Sequence, residues 1–124
     1  MGTDIHSVFQ RQLPDGSWQD IYTHYEDNRH YTLFGILAGV RDREHPRFSI
    51  NGIPKDFTIE DDGTHNNKWM GDHTFSHLTG EELLRWFNRQ APPDLKEETE
   101  YFFEIVRHLQ NKYNKIRIVF GFDS

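Results

Sequence analysis

The hydrophobic and polar positions of this chain alternate with the period of a strand near both ends and with the period of a helix between them. Residues 4–13 and 18–24 alternate around the turn Pro-Asp-Gly-Ser and predict a β-hairpin. Because successive strand side chains point to opposite faces, Asp4 and His6 share one face of the first strand. Ile5 lies on the other, apolar face.

The first helix is predicted over residues 29–40, where apolar side chains recur at helical spacing. Asp27 or Asn28 fits its N-cap position. Gly35 and Gly39 each weaken a helix by about 1 kcal/mol relative to Ala. We therefore expect either a short helix or close packing of its backbone against a strand.

Two further helices are predicted in the second half of the chain. Thr79 with Glu82 has the form of a capping box and predicts a helix over about residues 80–90. After Pro92-Pro93, Asp94 with Glu97 has the same form and predicts the third helix. The apolar stripe of that helix consists of Leu95, Phe102, Val106, Leu109 and Tyr113.

The remaining segments are one strand and one long loop. Residues 116–123 alternate as a strand that we expect to pair with the hairpin. Residues 42–68 are charged and rich in Gly, Pro, Asn and Asp, which is typical of a loop that is either functional or simply flexible. The sequence predicts one α+β domain over residues 1–124, in which a small antiparallel sheet (N-terminal hairpin plus C-terminal strand) packs with about three helices.

Composition narrows the classes of function. A formal net charge of −6 over 124 residues argues against non-specific nucleic-acid binding, which needs a basic surface. Without cysteine, a metal ion would be held by His, Asp or Glu. The phosphate-loop, dinucleotide-binding, H-E-x-x-H and G-x-S-x-G motifs are absent, so the standard enzymes that carry them lose support. No segment resembles a signal peptide or a membrane span, and we expect a cytoplasmic protein.

Asp4 and His6 form the first candidate site. One carboxylate and one imidazole on the same strand face fit a ligand pair for zinc or manganese, or an oriented general base. Asp72 and His73 form the second candidate, in the segment Gly71-Asp72-His73. We predict that Asp4, His6, Asp72 and His73 act catalytically and that Asp4, His6 and His73 bind a divalent metal. The alternative for both pairs is an ordinary exposed strand or loop.

A third candidate lies around the first helix. Arg29 and Arg41 stand at its two predicted ends, and a guanidinium presents a planar fork that matches phosphate or carboxylate. Asn28 and Tyr31 add neutral hydrogen-bonding groups. We predict that these four residues, together with the residue Ser76, bind an anionic ligand; ordinary ion pairing of the arginines is the alternative.

The chain resembles a group of small uncharacterised proteins encoded in bacteriophages, prophages and bacterial genomes. The similar segments are M-G-T-D-I-H at 1–6, N-R-H-Y-T-L-F-G-I-L-A-G-V-R at 28–41, the turn Gly52-Ile53-Pro54, G-D-H-T-F-S-H-L-T at 71–79 and R-I-V-F-G-F-D at 117–123. The resemblance implies one shared site that contains Asp4, His6, Asp72, His73, Arg29 and Arg41. It also implies that an acidic residue often stands in place of Gln10, which disfavours Gln10 as a ligand here. A phage-encoded protein would work in the host cytoplasm.

Two functions follow from these candidates. The first is metal-assisted hydrolysis of a small phosphate-containing ligand, with zinc or manganese as cofactor. The alternative is a non-catalytic module that binds a small anionic ligand or blocks a host protein through the aromatic residues of the long loop. A structural role in a homo-oligomer is a third hypothesis.

Overall fold

An antiparallel sheet of four strands forms the centre of the fold. The computed structural model describes residues 2–44, 47–57 and 70–124. The elements are β1 (Asp4–Gln12), β2 (Trp18–Ile21), α1 (Tyr31–Ala38), β3 (His73–Thr79), α2 (Gly80–Gln90), α3 (Glu97–Tyr113) and β4 (Ile116–Asp123). The strand order is β2-β1-β4-β3, and every neighbouring pair is antiparallel. The predicted α+β class is confirmed.

The predicted hairpin and the predicted pairing of the last strand are both present. The turn between β1 and β2 closes through a hydrogen bond from the Leu13 amide to the Ser17 carbonyl. Gly16 has a φ of 89°, which glycine adopts without steric cost. Strand β4 then pairs with β1 along its whole length, from Asp4 opposite Asp123 to Arg11 opposite Ile116.

All three helices pack on one face of the sheet and build the main core there. Alternating residues of β1 and β4 point to this helix side, including Ile5, Phe9, Phe120 and Phe122. Phe122 contacts Phe34 of α1 edge to face, with ring centroids 5.1 Å apart. Large aromatic side chains remove much apolar area from water each, so few residues close this core.

The opposite face of the sheet, which we call the outer face, carries a smaller apolar cluster. Phe57, Met70 and Val119 are buried in it, and Val8, Ile53 and Phe75 pack against them. The described residues of the predicted long loop, 42–44 and 47–57, form neither helix nor strand. The rest of that loop lies outside the described residues.

The helix caps follow the sequence only in part. The Thr79–Glu82 capping box is confirmed, because the Glu82 amide donates to Thr79 Oγ1 and the Thr79 amide to Glu82 Oε1, both at 3.0 Å. The second capping box is wrong: α3 has Lys96 as its N-cap without a side-chain cap. The predicted cap of α1 is also wrong, since His30 occupies that position.

Tertiary contacts explain why Asp27 does not cap α1. Its carboxylate accepts hydrogen bonds from the Ser7 amide, at 3.0 Å, and from the Ser7 hydroxyl. The side chain thus joins the helix entry to β1, a partner 20 residues away in sequence. A carboxylate near a helix start can satisfy any nearby donor, and the sequence does not show which donor the fold supplies.

Strand β3 was not predicted as part of the sheet. It pairs with β4, but its register shifts between His73 and Ser76, where Thr74 has a φ of 55°. This irregularity interrupts the alternation that identifies strands in a sequence.

No helix among residues 2–44, 47–57 and 70–124 is long and apolar enough to cross a membrane.

Removal of the α2 cap is expected to lower the free energy of unfolding moderately. The Thr79→Ala variant leaves the Glu82 amide without its acceptor, which costs about 1 kcal/mol. Glu82→Gln keeps an acceptor for the Thr79 amide and is the matched control with a smaller loss. Urea unfolding measures both variants. A Thr79→Ala protein as stable as the wild type would refute this role of the cap.

Candidate functional site

Asp4 forms an ion pair with Arg29 at the start of β1. Arg29 Nε donates to Asp4 Oδ1 at 2.7 Å, and the guanidinium packs against the backbone of Gly2. Hydrogen bonding from Arg29 lowers the pKa of the Asp4 carboxyl, which is therefore ionised near neutral pH. Both side chains are half exposed, so the pair contributes little to stability. The ion pair engages the Asp4 carboxylate with Arg29.

His6 shares the outer face with Asp4, as the alternation predicts. Its Nε2 forms a hydrogen bond with Asp123 Oδ2 across the β1–β4 pair. In the strand register, Asp4 stands opposite Asp123 and His6 opposite Gly121. The first predicted pair therefore consists of two side chains that each contact a different neighbour, Arg29 for Asp4 and Asp123 for His6.

His73 lies on the helix side of the sheet, away from His6. It pairs in register with Phe122, and its ring stacks on the Phe122 ring with centroids 6.2 Å apart. Its Nε2 is 3.0 Å from Ser124 Oγ, and its Nδ1 is 2.8 Å from Thr74 Oγ1. The β-bulge that displaces His73 sets this orientation.

The three predicted metal ligands consequently do not converge. Asp4 and His6 face one side of the sheet and His73 the other. Within the described residues, no group of three His, Asp or Glu side chains is placed to hold one metal ion. This donor set therefore does not fit a three-ligand zinc or manganese site. The presence of a divalent metal stays a prediction.

The other predicted site residues are dispersed. Asp72 is exposed, and its amide donates to the Phe122 carbonyl at 2.8 Å. Ser76 is fully buried, and its hydroxyl accepts from the Asn51 amide at 2.9 Å. Asn28 lines a pocket that faces the start of α3. None of these three side chains is described in contact with Arg29 or Arg41.

Arg41 and Tyr31 do come together, as part of a tie between the chain ends. The Arg41 guanidinium carbon lies 4.7 Å from the centroid of the Tyr31 ring, a cation–π contact. The Tyr31 hydroxyl accepts from the Thr3 amide at 3.1 Å, and Thr3 Oγ1 is 3.0 Å from Ser124 Oγ. These contacts join α1, the start of β1 and the end of β4, which is a structural role.

A groove that the sequence did not reveal lies between residues 47–51 and α2. Its volume is about 520 Å³. We call it the arginine groove, because three of its lining residues are arginines. The residues that line it are Arg47, Phe48, Ser49, Asn51, Leu78, Glu82, Arg85, Trp86, Arg89 and Gln90.

The arginine groove is positively charged although the chain as a whole is acidic. Arg85 forms an exposed i,i+4 ion pair with Glu81 at 3.1 Å. Among the residues that the structure describes, no carboxylate lies within ion-pairing distance of Arg47 or Arg89. Arg47 is held in place by packing, since a Cβ added to Gly39 would lie 2.8 Å from Arg47 Cδ.

Trp86 forms an aromatic part of the lining of the arginine groove. It is only 6% exposed, and its ring lies between Phe48, at 5.9 Å, and Phe103, at 5.5 Å. Its indole Nε1 is buried and has no hydrogen-bond partner in the described part of the chain. An indole N–H usually finds a partner when buried. Trp86 therefore adds to the groove a largely buried aromatic residue whose donor no described residue satisfies.

Part of this groove could have been found from the sequence. Arg85 and Arg89 are four residues apart on a predicted helix, so they share one helix face. Arg47 belongs to the loop that precedes the unpredicted strand β3. Nothing in its sequence neighbourhood indicates that it returns to α2.

Comparison of the chain with models of protein families, with curated proteins and with solved structures found no match. The resemblance to phage and prophage proteins therefore stays a prediction.

Proposed function

We propose that this protein is a non-catalytic module that binds a small anionic ligand in the arginine groove. The observation that carries the proposal is the position of Arg47 and Arg89, two arginines without a carboxylate partner in the described structure, in the lining of one concave surface. Arg85 lines the same surface. In a chain with a net charge of −6, such a local concentration of arginines, two of them without a carboxylate partner among the described residues, favours an anion.

The chemistry of the groove fits phosphate or carboxylate groups. A guanidinium donates two parallel hydrogen bonds to either group, and bonds between charged partners are the stronger class. Ser49 and Gln90 add neutral hydrogen-bonding groups at the same surface, and Asn51 lines it while its Nδ2 donates to the His77 carbonyl at 2.9 Å. A volume of about 520 Å³ is sufficient for a small organic anion.

Binding is better supported than hydrolysis. No imidazole lines the described groove, and its one carboxylate, Glu82, accepts hydrogen bonds from Thr79 in the α2 cap. Elsewhere, Asp4, His6 and His73 do not converge, so metal-assisted hydrolysis gains no geometric support.

We also propose that the protein works in the cytoplasm, which is the cytoplasm of the host if the protein is phage-encoded. The absence of cysteine is consistent with this setting.

The aromatic residues of the long loop do not favour the blocking of a host protein. Phe57 is buried on the outer face, and Phe48 packs against Trp86. An interaction surface would need these rings to be exposed together. In the described part of the loop they stabilise the fold instead, so a small ligand is the better candidate.

Isothermal titration calorimetry with inorganic pyrophosphate tests the proposal. We expect wild-type protein to bind, and Arg47→Gln and Arg89→Gln each to weaken binding by roughly tenfold or more, since each removes a charge-assisted contact. Arg43→Gln is the matched control, because Arg43 is an exposed arginine outside the groove. It makes the same change of charge and should alter affinity by less than about twofold.

Two results would overturn the proposal. One is the absence of any heat of binding with both pyrophosphate and citrate, which present phosphate and carboxylate groups respectively. The other is equal weakening by all three substitutions, because this would mean that only the overall charge matters. Urea unfolding of each variant shows whether a loss of binding is a loss of folding.

A further inference from the structure

A second cavity, of about 440 Å³, lies between residues 24–30 and the first turns of α3. Two tyrosine rings form part of its wall: Tyr25 and Tyr101 have centroids 6.3 Å apart and planes inclined by 35°. We call it the tyrosine pocket. Tyr25 is fixed by edge contacts with Phe9 and Phe102 of the core. Tyr101 is 46% exposed, so part of its ring is open to a ligand.

Acidic side chains surround these rings. Glu26, Glu97 and Glu98 line the tyrosine pocket, and no arginine or lysine does so in the described structure. The positive charge of Lys96 lies near His30 and acts with burial to lower its pKa. Burial, reinforced by the negative charges of Asp27 and then of Glu98, raises the pKa of Tyr25. The charged side chains that line the pocket are therefore carboxylates, opposite in sign to the arginines of the arginine groove.

His30 adds a buried polar group whose closest polar contact lacks hydrogen-bonding geometry. It lines the tyrosine pocket and is only 6% exposed. Its Nε2 lies 2.7 Å from Glu98 Oε2 outside hydrogen-bonding geometry, and it has no other hydrogen-bond partner among the residues that the structure describes. Burial lowers the pKa of His30, so the ring is neutral at physiological pH. A buried polar atom without a partner costs free energy unless something binds it.

We infer that the tyrosine pocket binds an organic ammonium group of the size of a lysine side chain. Tyrosine rings attract a cation placed over their faces, and the carboxylates of Glu97 and Glu98 accept hydrogen bonds from its N–H groups. The alkyl part of such a ligand would lie against the rings. This site is separate from the arginine groove and does not depend on the proposed anion binding.

The test is a titration of isotope-labelled protein with n-butylammonium, followed by ¹H–¹⁵N NMR spectroscopy. We expect saturable chemical-shift changes at residues 24–30 and 97–101. Neutral n-butanol has a similar alkyl chain and should cause no saturable change, since the carboxylates discriminate by charge. A short peptide with one lysine serves as a second ligand: tighter binding than n-butylammonium indicates a protein side chain, and weaker binding a free amine.

Two charge-matched double variants test whether n-butylammonium binding depends on the tyrosine pocket or only on the overall negative charge of α3. Glu97→Gln combined with Glu98→Gln should weaken n-butylammonium binding by roughly tenfold or more. Glu100→Gln combined with Glu104→Gln makes the same change of charge on exposed residues outside the pocket and should alter binding by less than about twofold. Tyr101→Leu keeps an apolar side chain but removes the ring, and should also weaken binding.

The inference is overturned if n-butylammonium causes no saturable shift, if n-butanol binds equally well, or if the two double variants behave alike. The thermal midpoint of each variant checks its folding. Because Tyr101 and the four glutamates are all exposed, folded protein is expected in every case.

Discussion

Replacement of Arg117 by Met is expected to lower the free energy of unfolding by about 3 kcal/mol. Arg117 lies on β4, faces the outer side and is only 5% exposed. Its Nε donates to Gln10 Oε1 at 2.8 Å, its Nη1 lies 2.9 Å from Asp56 Oδ1, and its guanidinium carbon lies 4.1 Å from the centroid of the Trp18 ring. These contacts connect β4, β1, β2 and the loop.

The magnitude follows from opposing contributions. A desolvated cation–π contact stabilises by about 2 kcal/mol, and an orphaned buried acceptor such as Gln10 Oε1 costs about 1–3 kcal/mol. Against this, Arg117 Nη2 is buried without a partner in the described structure, and its removal recovers about 1 kcal/mol. Loss of the favourable contacts therefore dominates.

Urea unfolding of Arg117→Met and Arg11→Met compares two strand arginines. Arg11 is on β1, is half-buried, donates to Gln19 at 2.9 Å and lies over the Tyr113 ring at 5.1 Å. Its replacement should cost less than about 1 kcal/mol, because its contacts remain accessible to water. If both variants lose the same stability, Arg117 does not organise the outer face.

The second large effect is expected for Gly35→Ala, in the middle of α1. Helix propensity alone predicts that this variant gains about 1 kcal/mol. The structure predicts a loss of about 2 kcal/mol instead, because an added Cβ would meet the backbone of Asp42, with its carbonyl carbon 2.9 Å away. The helix cannot move away without disturbing the core around Phe34 and Leu37.

Gly52→Ala provides a useful contrast in the same unfolding measurement. Gly52 has a φ of 74°, but an added Cβ there meets nothing within 4 Å. This variant reports backbone strain without a steric clash and should lose about 1 kcal/mol. A Gly35→Ala protein that is more stable than the wild type would show that α1 is not packed in this way.

Most of the fold followed from local patterns. The hairpin, β4 and α2 were predicted because strict alternation or a capping box marks them in the sequence. Of the two alternatives predicted for α1, the short helix is confirmed, since it has eight residues. Gly35 does lie close to backbone, but to that of the loop residue Asp42 and not to a strand. Strand β3 was missed because its bulge interrupts the alternation.

The candidate site was less predictable, because side-chain partners come from tertiary structure. The shared face of Asp4 and His6 was foreseen from period-two alternation. The opposite orientation of His73 was not, since it depends on the register shift in β3. The resemblance disfavours Gln10 as a ligand. In the structure Gln10 is buried, its Oε1 accepts from Arg117, and its Nε2 donates to Asp20 Oδ1 at 2.8 Å. Its role there is structural.

The most direct test of anion binding in the arginine groove is a ¹H–¹⁵N NMR titration of wild-type protein with inorganic pyrophosphate, with the indole resonance of Trp86 assigned through Trp86→Phe. We predict saturable shifts of the Trp86 indole N–H and of the Ser49, Asn51 and Arg89 amides, because these residues line the groove. Saturable shifts confined to Arg29, Tyr31, Arg41 and His73 would instead place the anion at the tie between the chain ends and contradict the proposed site.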